Sequence, residues 1–277
     1  MTITEADKLG FAEHLREAER EESTVKLYLS AVEQFAAFMA GRPLTKEGVL
    51  AYKAWLLRTY AASTANGKLG TVNLFLRYLG APELCLRRLR IQRQFYLPED
   101  RILSYGDYVR LVALARQEGD EKLALCMEIL CATGIRVSEL PFITPEAARR
   151  GMATVRNKGK TRTVLLPRAL CRRISDYAAG AGILRGPVIL SRSGQPLDRT
   201  RIWRQMHRLC ARAGIPPEKG HPHALRHLFA VTYYRVSRDP MGLADLLGHA
   251  SLDTTRIYTA VPPAALTQRL EQMDLVL

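Results

Sequence analysis

Residues 221–227, His221-Pro222-His223-Ala224-Leu225-Arg226-His227, place three imidazoles and a guanidinium in seven positions. Pro222 suits the first turn of a helix, because its fixed φ matches and its missing N–H has no intrahelical partner there anyway. His223 and Arg226, three residues apart, then project from one face of a helix over about 223–236, near an N-terminus whose dipole favours an anion. Taken alone, the segment reads first as a capping histidine followed by a solvated arginine. Zinc is the other reading of His221, His223 and His227, but helical zinc sites normally bring a carboxylate or a further spaced ligand, and none sits here. No metal site is expected.

Working outward, the pattern is helical almost throughout. Val25, Tyr28, Val32, Phe35 and Met39 recur at three/four spacing behind a Ser23 or Thr24 cap, and further helical patterns run over 46–60 and 64–79. The acid-rich stretch 5–22 reads as a solvated helix, or as a face turned to a neighbouring protomer. The basic run Arg87-Arg88-Leu89-Arg90-Ile91-Gln92-Arg93-Gln94 leads into Tyr96-Leu97-Pro98 without periodicity, as an exposed linker would, and places a boundary near 92–102. Ser104-Tyr-Gly-Asp107 is a capping-box pattern opening the next helix, followed by one over 120–133. Residues 152–156 and 161–166 alternate around Asn157-Lys158-Gly159-Lys160 and read as a β-hairpin. Helices are expected at about 168–179, 198–213, 240–247, 251–258 and 262–274.

The 277 residues carry 41 Lys and Arg against 27 Asp and Glu, a net +14. Residues 5–22 hold seven acids and three bases, so the rest of the chain carries 38 bases against 20 acids. This excess suits a polyanionic partner, although a solvated basic surface produces the same composition. Five scattered cysteines without a Cys-x-x-Cys pair argue against a disulfide framework or a thiolate zinc site. With no long apolar run and a polar, acidic N-terminus, neither a membrane span nor secretion is expected, and the chain reads as a soluble intracellular protein.

Three more segments bear on HPHALRH. Ala132-Thr-Gly-Ile-Arg136-Val-Ser-Glu139-Leu140 follows Arg136 with a carboxylate able to orient its guanidinium, although such i,i+3 pairs are usually surface salt bridges. Lys158 occupies the hairpin turn, where a lysine is usually solvated but can swing over a ligand. His249 follows Leu246-Leu247-Gly248, the glycine ending a helix, and Tyr258 follows nine residues later.

Arg136, Lys158, His223-x-x-Arg226 and the run LLGHASLDTTRIYT (246–259), in this order and at these separations, resemble the tyrosine recombinase, or phage integrase, family, in particular its compact two-domain Xer-type members. Each motif is weak singly; the ordered set in a basic chain is specific, and the resemblance covers nearly the whole sequence. It implies a mainly α fold with a small β-hairpin: a SAM-like helical core-binding domain over 1–92, a linker over 93–103, and a mixed α+β catalytic domain over 104–277, together a C-shaped clamp on DNA. It implies a site-specific recombinase that needs no cofactor, metal or ATP. Arg136, Lys158, His223, Arg226 and His249 would be its catalytic residues, Tyr258 the nucleophile and Glu139 a supporting residue. Arg87, Arg88, Arg90, Arg93 and Lys160 would meet phosphates of double-stranded DNA. The expected assembly is a dimer per site and a tetrameric synapse, with a C-terminal helix at about 262–277 docking on a neighbour or packing in cis, and with a related recombinase or accessory protein as a further partner. A cytoplasmic, nucleoid-associated location follows. Departures from the family pattern are Ala260, where His is frequent, Leu228 in place of Thr, and His221 in place of a Ser or Thr cap. The same residues serve type IB topoisomerases. A DNA-binding regulator that has lost catalysis and a metal-dependent nuclease would also suit a basic chain of this kind.

Overall fold

The computed structural model describes residues 2–91, 102–157, 160–191 and 193–248, together with Thr255, Gln272 and Met273, and only the backbone of Asn157 and Lys160. The chain divides into two compact units, Met1–Arg93 and Gln94–Leu277.

The first unit is all helical among its described residues: α1 (Glu5–Glu17), α2 (Glu22–Met39), α3 (Lys46–Thr59) and α4 (Ala62–Tyr78). The acidic segment is not simply solvated. Thr4 and Asp7 form a capping box, and the stripe Phe11, Ala12, Leu15 beneath the acids is buried, with the Phe11 ring 5.1 Å from that of Phe75. Helix α2 starts earlier than its sequence suggests: Glu21 stands at the cap position with no side-chain capping bond to the first turn, which puts Ser23 and Thr24 inside that turn. Val25, Val32, Phe35, Tyr52, Leu56, Leu69 and Phe75 form a closed core, the kind of continuous burial that amphipathic helices need to persist.

Past a short 3-10 turn at Pro82–Leu84 the chain runs extended along α4 and is held there. Asn73 donates to the Leu86 carbonyl at 2.8 Å and accepts from its N–H at 2.9 Å; one turn pair earlier Asn66 does the same to Leu89, at 2.9 and 2.8 Å. Lys46 reaches the carbonyls of Glu83 and Cys85, and Lys53 that of Arg87. The start of the basic run, for all its lack of periodicity, is therefore an integral edge of the helical unit over 87–89, within the 1–92 expected for that domain. A run of charged residues looks like linker because sequence periodicity does not show side-chain amides capturing a backbone.

In the second unit, α5 (Tyr105–Gln117) opens with the Ser104–Asp107 capping box, and α6 (Glu121–Thr133) is buried nearly all round between α5 and the later helices over Arg168–Gly180 and Pro222–Ser237. A six-residue helix, α7 (Pro145–Arg150), capped by Thr144 and ended by Gly151, is too short to show a period and goes unforeseen. Strands β1 (Met152–Asn157) and β2 (Lys160–Leu165) pair antiparallel from Met152 opposite Leu165 to Asn157 opposite Lys160. Ala153, Val155 and Val164 face the core while Thr154, Arg156 and Thr163 face out, the alternation of a one-sided hairpin. Helices α8 (Arg168–Gly180), α9 (Arg199–Arg212), α10 (Pro222–Ser237) and α11 (Pro240–Leu247) complete the described fold, which is mainly α with one small sheet. The helices expected at 251–258 and 262–274 lie outside the described residues, apart from Thr255, Gln272 and Met273, as does nearly all of the linker expected at 93–103. No helix among the described residues is long and apolar enough to cross a membrane.

Candidate active site

The HPHALRH segment is the first turn of α10. His221 caps it, with Nδ1 accepting from the Ala224 N–H at 3.1 Å, so an imidazole does here what a hydroxyl does at most caps. Pro222 stands at the first helical position. From this start of the helix His223 and Arg226 both line a cleft of roughly 780 Å³, whose other walls include Arg136, Ser138, Asp198, Arg199 and Trp203.

The two arginines are not equivalent. Arg226 is 2 % exposed and forms the floor, its Nη1 on the Gly134 carbonyl at 2.6 Å and its Nη2 on the Leu247 carbonyl at 2.8 Å. Two of its five N–H groups thus join the ends of α6 and α11, rather than serving a ligand alone as an arginine solvated at a helix start would. Gly134 makes this possible: at φ +63° it ends α6, and a Cβ there would strike Phe229 and lie 2.9 Å from Leu247. Arg136 sits at the open side, two-fifths exposed, as cap of the 3-10 turn Val137–Phe142.

Its partner Glu139 is no surface acid. At 1 % exposure it accepts from the Arg136 N–H at 2.8 Å and reaches the Arg136 guanidinium at 3.5 Å, while Arg162 of β2 donates to it at 2.8 Å. Burying a carboxylate is tolerated only when it is paired and hydrogen-bonded in this way. A spacing of three between Arg136 and Glu139 suggests a helical surface pair; Pro141 and the preceding Gly134 make the turn 3-10 and turn the acid inward.

Cations crowd the cleft, and the histidines register it. Partial desolvation, then Arg226, His221, Arg199 and Arg136, push the His223 pKa below the usual imidazole value. Burial and Arg199 push His221 the same way. His227 lies behind them, 8 % exposed, and burial followed by His223 and His221 brings it down to about 4. A histidine whose folded pKa is depressed binds its proton more readily in the unfolded chain. Its contribution is therefore whole above about pH 6.5 and drains away as the pH falls toward 4, by about 3 kcal/mol. Denaturant unfolding at pH 7 and pH 4.5 should show a shallower acid loss for His227→Gln than for wild type; equal slopes would refute the assignment.

Among the described residues no cluster of three or more His, Cys, Asp or Glu could hold a metal ion. The cysteines are all free, and burial raises the thiols of Cys126 and Cys131 to about 12 and that of Cys210 to about 11.

Residues 101–264 match the sequence profile of the phage integrase family. The tyrosine recombinase XerD of Pseudomonas aeruginosa is 32 % identical to this chain, over 93 % of it and 90 % of the relative. The chain belongs to the phage integrase family. Membership makes it a site-specific tyrosine recombinase, an enzyme of DNA recombination. Its fold is that of solved family structures. A lambda integrase dimer (residues 75–356) bound to a COC' core site superposes with a TM-score of 0.77 at 18 % identity, covering 95 % of this chain and 97 % of that one. A lambda integrase tetramer bound to a Holliday junction superposes with 0.70 at 19 % identity, covering 89 % and 77 %.

Of the residues expected at the recombinase's site, Arg136, His223 and Arg226 come together in one cleft, with Glu139 buried behind Arg136. Lys158, His249 and Tyr258 lie outside the described residues, as do Arg93 and the Lys160 side chain. Arg87, Arg88 and Arg90 are exposed along the edge held by α4, and the Arg88 guanidinium crosses Gly70, occupying the space a Cβ would fill. Three residues of the network escaped the sequence reading. Arg199 and Trp203 sit in a helix whose many arginines look alike, and the i,i+4 spacing that puts both on the cleft side was the available signal. Arg162 is one of several cations in the hairpin, and the signal was the strand alternation, which puts it on the same face as Val164 and opposite the buried Val155.

Proposed function

We propose that the chain cuts and rejoins DNA strands at a specific core site through a covalent tyrosyl intermediate. A phosphodiester resists attack because its oxygens are anionic and its alkoxide leaves poorly, so catalysis has to neutralise charge and protonate the leaving group. The observation that carries the reading is the convergence of Arg136, Arg199, His223 and Arg226 on one cleft at the N-terminus of α10. Guanidiniums on both sides of a phosphate can meet its non-bridging oxygens, Arg136 from the open side and Arg226 from the floor. His223, kept neutral by its surroundings, donates to an oxygen or takes the nucleophile's proton.

The Tyr258 oxygen attacks phosphorus, the bond to the 5′-oxygen breaks, and Lys158 gives that oxygen its proton. His249 assists the phosphoryl group. The product is a 3′-phosphotyrosyl link with a free 5′-hydroxyl, and because the phosphodiester energy is conserved, a 5′-hydroxyl from a second DNA reverses the step. Strand exchange then proceeds through a Holliday junction without metal or ATP. The solved lambda integrases, as a dimer on a core site and a tetramer on a junction, support a dimer per site and a tetrameric synapse for this chain, with residues 262–277 docking on a neighbour.

Residues 1–92 would be the core-binding domain and 104–277 the catalytic one. Arg87, Arg88, Arg90, Arg93 and Lys160 would meet phosphates, with the salt dependence such contacts bring. Such a protein works in the cytoplasm, on the nucleoid. The test is to incubate the full chain with nicked target duplex, selected from a random pool, in EDTA. An SDS-stable protein–DNA adduct mapping to the peptide that contains Tyr258 is expected, and cleavage that appears only on adding divalent metal would overturn the proposal.

A further inference from the structure

Arg162 is a cation beside the site that the reaction above does not use. It leaves β2 for the interior and is only 16 % exposed at its side chain. Its Nη2 donates to Glu139 at 2.8 Å and its Nη1 to the Leu246 carbonyl at 2.7 Å. Its stem lies over Gly248, where a Cβ would come within 2.6 Å of Cδ. One guanidinium therefore ties three separate pieces of chain: the hairpin, the 3-10 turn that presents Arg136, and the end of α11. Leu246 and Leu247 offer consecutive carbonyls at that helix end, and Arg162 takes the first while Arg226 takes the second. Carbonyls at a helix C-terminus lack intrahelical partners and attract cations, so both bonds are favourable. Glu139 is the joint. Without Arg162 its buried charge would keep the Arg136 N–H at 2.8 Å but lose its short contact to a guanidinium, leaving the Arg136 guanidinium at 3.5 Å, and the carboxylate that Arg136 turns on would be less firmly fixed.

We infer that Arg162 is a positioning residue of the recombination reaction: through Glu139 it fixes the orientation of Arg136 relative to the Arg226 floor. It touches no DNA in this role. A lysine cannot replace it, because an ammonium on a flexible stem does not span a carboxylate and a carbonyl with two fixed donors. The inference deepens the proposed function and rests on it.

The test measures single-turnover adduct formation on nicked target duplex, alongside affinity for the same DNA and thermal midpoint. For Arg162→Lys, a folded protein with unchanged DNA affinity and adduct formation slowed about 100-fold is expected, the scale on which a displacement of about 1 Å acts. A merely structural residue would lower affinity and rate together as the folded fraction falls. Acting through Glu139, it should also add almost nothing in a Glu139→Gln background, where the joint is already gone. Wild-type rates in Arg162→Lys, or the same slowing with and without Glu139, overturn the inference. If the lysine variant does not fold, Arg162→Gln with Glu139→Gln removes both buried charges together. Slow adduct formation in that folded double variant supports the role, and a wild-type rate overturns it. Absence of any Tyr258 adduct in the wild type refutes the proposed function instead, so the two failures are distinguishable.

Discussion

Tyr258→Phe is expected to abolish the SDS-stable adduct, lowering strand cleavage by on the order of 10⁴-fold or more while DNA affinity stays unchanged. The substitution removes one hydroxyl and keeps the ring, so nothing but the nucleophile is lost. The nearest competitors by sequence are Tyr233 and Tyr234, and the fold gives both other occupations. Tyr233 is stacked on Phe229 with ring centroids 6.2 Å apart, in the small core that α10 and α11 share, and Tyr234 lies under the Arg238 guanidinium at 5.8 Å. An adduct that survives in Tyr258→Phe and vanishes in Tyr233→Phe or Tyr234→Phe would move the chemistry to α10. Gel analysis of denatured reactions, with affinity measured in parallel, decides between these outcomes.

Arg226→Ala is expected to damage both the enzyme and its fold, and Arg136→Ala only the enzyme. Removing Arg226 leaves the Gly134 and Leu247 carbonyls buried without their donor. Each such orphan costs about 1–3 kcal/mol, so a loss of about 2–6 kcal/mol should appear in denaturant unfolding. Adduct formation should fall in both variants by on the order of 10²–10³-fold, as when a preorganised donor to a developing oxyanion is deleted. Arg226→Lys keeps the charge but not the planar fork, and should restore little of either quantity. A stable Arg226→Ala protein, or one with normal adduct formation, would mean that the floor of the cleft has been misread.

Long amphipathic helices were plain in the sequence because Val25, Val32 and Phe35 bury the face that their spacing marks out, and in α5 Leu111 does so fully with Tyr108 and Leu114 half-buried beside it. The hairpin was equally plain from the alternation of Ala153 and Val155 with Thr154 and Arg156. Local chemistry of that kind is encoded within a few residues. The cap of α2 was misjudged because Ser23 and Thr24 are strong cap formers that here lost to an earlier start. The brevity of α7 left no period to read. At the site, the ordered motifs identified Arg136, His223 and Arg226 as partners although ninety residues separate the first from the last. What the motifs did not disclose was the work each cation does within the protein. The fixed bonds of Arg226 and Arg162 depend on the carbonyls of Gly134, Leu246 and Leu247 and on the Glu139 carboxylate, partners that no pattern local to either arginine reveals.

The paired amides of Asn66 and Asn73 redraw where the first unit stops. Four hydrogen bonds of roughly 1 kcal/mol each bind 86–89 to α4, so a fragment cut at Tyr78 would forfeit that edge and bare Leu86's seat. An engineer wishing to lengthen the tether or graft a foreign DNA-reading module should splice beyond Leu89. Insertions there spare the asparagine rungs and keep Arg87 and Arg88 displayed at a set height above the helix, like teeth on a rail rather than beads on a string.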